Sequence, residues 1–162
     1  MAIDVKKRKR ELILQNVKRV PLAAKGEKLA RILIILMFFL RGALLLFEII
    51  FSSLTETKIS VWSHLLFIPF MFIIYMIYDG NKPLVYIPMV SAPGRLIYHF
   101  TAVVPTIASE SLTALTVISV IILGAQFFFC IFMSASTRCD VYFTAMQKVN
   151  IKLRSEMIGG QK

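Results

Sequence analysis

Apolar residues in this chain fall in long unbroken runs, not in the one-sided stripes of soluble helices. The run over residues 29–51, LARILIILMFFLRGALLLFEIIF, is apolar except for Arg31, Arg41, Gly42 and Glu48. As a helix its 23 residues would span roughly 34 Å at ~1.5 Å per residue, enough to cross the hydrocarbon core of a bilayer. A soluble helix of that length needs a polar face, and two interior charged positions do not make one. Three further apolar runs follow at 61–78, 84–108 and 112–135, separated by short links at 52–60, 79–83 and 109–111. The pattern predicts an all-α membrane protein, a four-helix transmembrane bundle.

The spans differ in character. The second is bracketed by Trp62 and His64 at one end and Tyr75 and Tyr78 at the other, residues that suit the membrane–water boundary, and Pro69 is expected to bend it. The turn Asp79-Gly80 followed by Pro83 makes spans two and three a hairpin. The third run contains Pro88, Pro93, Gly94 and Pro105. It is expected to be kinked or broken around residues 91–95, with Pro88, Pro93 and Gly94 as its hinge. In the fourth, Ala114, Ser119, Gly124 and Ala125 offer a small-residue face that lets another helix approach.

Both flanks read as amphipathic helices. Residues 1–28 read as a basic segment in which Leu12, Ile13, Val17 and Val20 alternate with cations, expected as an interfacial helix ended by Pro21, with a disordered basic tail as the alternative. In the tail, 136–162, Tyr142, Met146, Val149, Leu153 and Met157 make one apolar stripe. That helix is expected to run on from the fourth span into the cytosol or to bend onto the leaflet. The organisation is therefore a basic segment (1–28), a four-span domain (29–135) and a tail helix (136–162).

Composition agrees: 57% of the 162 residues are hydrophobic, and the net charge is +10. Of the 19 Lys and Arg residues, ten precede residue 32. Residues 1–31 and 136–162 together hold 15 of them, whereas the links at 52–60 and 109–111 hold only Lys58. Lys and Arg resist translocation, so both termini are expected in the cytoplasm, in an endomembrane such as the endoplasmic reticulum or in the plasma membrane. Lys6, Lys7, Arg8, Lys9, Arg10, Lys18 and Arg19 read as a surface for the anionic cytoplasmic leaflet. Beside several spans, the KKRKR run is not read as a nucleic-acid patch. The first apolar run is too long for a signal-peptide core, so a retained first span is expected.

Motifs for catalysis are missing: no metal-spaced His and Glu, no phosphate-cradling glycine loop, no Gly-x-Ser-x-Gly elbow. An enzyme is not expected, nor a cofactor beyond a bound phospholipid. Cys130 and Cys139 lie at different depths and do not suggest a disulfide; Cys139 stands where juxtamembrane acylation sites stand. The informative polar residues are Arg41, Glu48, Arg95 and His99, because a charge at mid-bilayer costs about 2.5–3.5 kcal/mol and needs a partner. Counted from the cytoplasmic ends of their spans, Arg41 and Arg95 lie roughly 18 and 16 Å deep and Glu48 roughly 28 Å. No carboxylate is expected level with either arginine. Their partners would be freed main-chain carbonyls, an acidic residue of another transmembrane subunit, or a lipid phosphate.

Three functions follow as expectations. The first is a non-catalytic subunit or scaffold of a larger membrane complex. The second is lipid or small-solute handling through the third span and its arginines. The third rests on span count alone, which is similar to that of MARVEL-type tetraspan trafficking proteins, and would make the chain an organiser of membrane domains.

Overall fold

Polar caps and prolines set the helix starts. The computed structural model describes residues 4–55, 67–103 and 109–159, and among them every regular element is helical. Trp62, His64, the link at 56–60 and Pro105 lie outside the described residues. The Asp4 side chain accepts the Lys6 and Lys7 backbone N–H groups at 3.1 Å each and caps α1 (Val5–Ile13), chemistry strongly preferred at a helix start. A π-helical turn follows at Leu14–Lys18. Pro21 then opens α2 (Pro21–Thr55), at a first-turn position where its missing N–H costs nothing. Pro21 separates two helices as expected, but the boundary drawn at residue 28 falls inside α2.

The remaining helices are α3 (Phe67–Tyr78), α4 (Tyr86–Tyr98), α5 (Ser109–Ala135) and α6 (Thr137–Gly159). The expected break in the third apolar run does not occur, because α4 continues through Pro93 and Gly94. Pro88 falls in its first turn, where no intrahelical N–H is required. Pro93 removes one hydrogen bond without ending the helix. The irregular geometry sits at the two ends, a 3₁₀ turn at Lys82–Val85 and a π-helical turn at His99–Val103.

Side-chain pairs fix the relative directions. Arg31 meets Tyr78 and Arg41 lies over Phe70, so α3 runs against α2. Glu48 meets Arg95, and Leu44 packs with Ala92, so α4 runs with α2. Pro88 meets Gln126 and His99 meets Thr116, so α5 runs against α4. The outward surfaces of all four are apolar: Phe39, Ile68, Val90 and Phe128 are each at least 64% exposed. Two helical stretches, Pro21–Phe51 and Ala114–Ala135, are long and apolar enough to cross a membrane, and only 33% of the most apolar window of each is buried.

At the opposite end from His99 the chain builds a charged lobe. Helix α6 turns back after Ser136 and runs against α2 and α1, with Arg138 beside Gly26 and Arg8 bonded to Glu156. The Tyr142, Met146, Val149 and Leu153 stripe is buried there, and Met157 is exposed. The expected tail helix is present, and α1 and the start of α2 cover its stripe. The crossing is close: a Cβ on Gly26 would sit 1.9 Å from the Arg138 carbonyl oxygen. Gly80, at φ +98°, docks the 79–82 turn against Met146 in the same way. Asn150 Nδ2 donates to the Asp79 carbonyl, and Lys9–Asp79 and Lys82–Asp140 ion pairs complete the contact.

Candidate functional site

Periodicity gathers the buried charges into two levels. Arg41 and Glu48 are seven residues apart on α2, so they share a face two turns apart with Leu44 between them. On α4 and the π-helical turn after it the same face carries Pro88, Ala92, Arg95 and His99, and on α5 it carries Ser119, Ile122, Leu123 and Gln126. Leu44, Ala92, Ile122 and Leu123 form one apolar layer. The polar groups lie on either side of it.

On the side nearer the π-helical turn, Arg95 Nη2 reaches both oxygens of Glu48, at 2.8 and 2.6 Å. Both side chains are nearly enclosed. This corrects the expectation that no carboxylate stands level with Arg95. His99 is buried and its Nε2 lies 3.3 Å from Thr116 Oγ1. Ser119 Oγ is buried without a hydrogen-bond partner among the described residues.

On the side nearer the lobe, the Arg41 guanidinium rests 5.3 Å from the Phe70 ring centre, a cation–π contact. Its Nη1 is buried and has no hydrogen-bond acceptor among the described residues. Gln126 Nε2 donates to the Pro88 carbonyl at 2.9 Å. Pro88 therefore acts as an anchor for α5: its carbonyl accepts from Gln126 across the helices as well as from Ser91 Oγ, at 3.2 Å, within α4. Pro93 and Gly94 are exposed, facing away from the site.

The structure adds a third charged group that the sequence reading passed over. Glu27 is 3% exposed, paired with Lys18 at 2.6 Å and with Arg31 at 2.9 Å. Arg31 also donates to the Tyr78 hydroxyl and lies over its ring, and Tyr142 donates to the Tyr78 carbonyl. A Glu at i with Arg at i+4 was the available signal. Of the seven cations assigned to the lipid surface, Arg8, Lys9 and Lys18 are engaged in ion pairs, while Lys6, Lys7, Arg10 and Arg19 are exposed.

Cys139 is fully buried among α2 and α6 side chains, and burial pushes its thiol above the usual range. In this arrangement the thiol is not presented at the surface, where acylation would need it. Burial likewise raises the Tyr142 hydroxyl. Among the described residues no three His, Cys, Asp or Glu side chains converge on a point that could hold a metal ion. The arrangement supplies an ion pair joining α2 to α4, two polar contacts joining α4 and the turn after it to α5, and one guanidinium with a spare donor. Comparison with protein-family models, curated proteins and solved structures returned no match.

Proposed function

We propose that the chain is a small four-span membrane protein with both termini in the cytoplasm, acting as a non-catalytic subunit or scaffold of a larger membrane complex. The observation that carries this reading is how the charges are spent. Glu48, Arg95, His99 and Gln126 bond helix to helix, while the surface left for others is an apolar girdle and a basic lobe built from both ends of the chain. A girdle of exposed Phe and Ile suits lipid rather than water. The lobe's exposed Lys and Arg suit the cytoplasmic side of an endomembrane or the plasma membrane.

A second reading, lipid handling, is favoured by the buried Arg41 Nη1, a donor that a phosphate oxygen would satisfy. The trafficking-organiser reading would need acylation at Cys139, whose thiol is buried. Purification of the tagged protein in native nanodiscs, with mass analysis of what stays bound, tests the proposal. Stoichiometric protein partners are expected. A chain recovered alone with one retained anionic lipid would overturn the subunit reading in favour of the second.

A further inference from the structure

Where α3 ends, a cavity of about 570 Å³ opens between α3, the 79–83 turn and α6. Its lining includes three cations, Lys9, Lys82 and Arg154, against one carboxylate, Asp79. Lys9 and Lys82 are held by Asp79 and Asp140 in partly exposed pairs, which are weak and exchange readily for a better anion. Arg154 is exposed and makes no ion pair among the described residues. The lining also includes Phe72 and Tyr75, 63% and 66% exposed.

The two chemistries are ordered along the α3 axis. Tyr75 stands one turn and Phe72 about two turns from Asp79, so the two rings rise roughly 6 and 10 Å along the helix from that carboxylate and the Lys9 it holds. That is the depth over which a lipid passes from headgroup to first acyl carbons. We propose that this groove binds one anionic phospholipid, its phosphate against Lys82, Arg154 and Lys9 and its glycerol and upper acyl chain along Tyr75 and Phe72. The charge excess selects an anion, and the exposed aromatics select a lipid over a free phosphate. The inference rests on the reading of the lobe as the end facing the anionic leaflet.

The test uses the full chain in phosphatidylcholine nanodiscs doped with phosphatidylinositol phosphate, with retained lipid counted by native mass spectrometry. Lys82→Gln/Arg154→Gln is compared with Lys148→Gln/Lys152→Gln, which removes equal charge from α6 outside the groove. The groove variant is expected to retain roughly 10- to 30-fold less anionic lipid, the loss of two interfacial cations, and the control to match the native chain. Equal losses in the two variants would overturn the site in favour of diffuse attraction. Full displacement by soluble inositol trisphosphate would overturn the lipid assignment in favour of a free phosphate. Protection of Cys139 from thiol reagents confirms that each variant is folded. Accessibility of a terminal tag in sealed vesicles reads the topology separately: a selective groove on the non-cytoplasmic side sinks the topology alone, and an unselective groove on the cytoplasmic side sinks the site alone.

Discussion

Replacing Gly26 by Ala puts a methyl group where α2 and α6 cross. The new Cβ lies 1.9 Å from the Arg138 carbonyl oxygen, where ordinary contact begins at 3.4 Å, a shortfall of about 1.5 Å. The obstacle is backbone and cannot rotate aside. Overpacking of this kind costs about 3 kcal/mol, the upper end of the usual range, and Ala returns about 1 kcal/mol of helix propensity. The net loss is about 2 kcal/mol, roughly a 30-fold shift in the opening of α6. Cys139, buried one residue from the contact, reports that opening through its rate of maleimide labelling, with mass spectrometry separating it from Cys130. Gly124→Ala is the matched control: it makes the same chemical change where a Cβ meets nothing within 4 Å, and labelling is expected to stay unchanged or slow. If Gly26→Ala labels no faster than Gly124→Ala, the close crossing is wrong.

Other outcomes follow from the charges. Arg95→Leu strands Glu48 and should cost about 3–5 kcal/mol, while Glu48→Leu/Arg95→Leu should cost less than either single change; additive losses in detergent melts would deny the pairing. The Arg8 guanidinium holds the Glu156 carboxyl below its ordinary 4.5, with Glu11 the other carboxylate on Arg8 and Lys152 the other cation beside Glu156. Because the folded value is the lower one, this contribution is complete above pH 4.5 and is lost as pH falls through the folded value. Spin labels on α1 and α6 should therefore separate in that acid window, and in Glu156→Gln the acid step should shrink. Palmitate should not incorporate at Cys139 in the folded chain, and Cys139→Ala should leave membrane retention unchanged.

The residues that announced themselves in the sequence did so through local chemistry. Pro21 marked a helix boundary, and the Tyr142–Leu153 stripe marked a buried face, because both effects act within a turn or two. What covers that stripe depends on the meeting of chain ends, and one glycine, Gly26, decides how closely. The Glu48–Arg95 pair stayed hidden for a different reason. Depths counted from span ends assume that every span starts in one plane. Pairing 48 with 95 sets Leu84 level with residue 37, about eight residues or roughly 12 Å beyond residue 29. The 79–85 connection, with its 3₁₀ turn, takes up that rise. Proline at 93 misled in the opposite sense: a helix packed on both α5 and the ion pair tolerates the single lost bond.

The Glu48–Arg95 contact also sets an order of assembly. Forty-seven residues separate the two partners, so Glu48 emerges from the ribosome about 2–9 s before Arg95 at ~5–20 residues per second. In the proposed topology the first span must wait through that interval with an uncompensated carboxylate. The contact thus makes α2 depend on a later helix: a chain that loses α4 leaves Glu48 without its Arg95 partner.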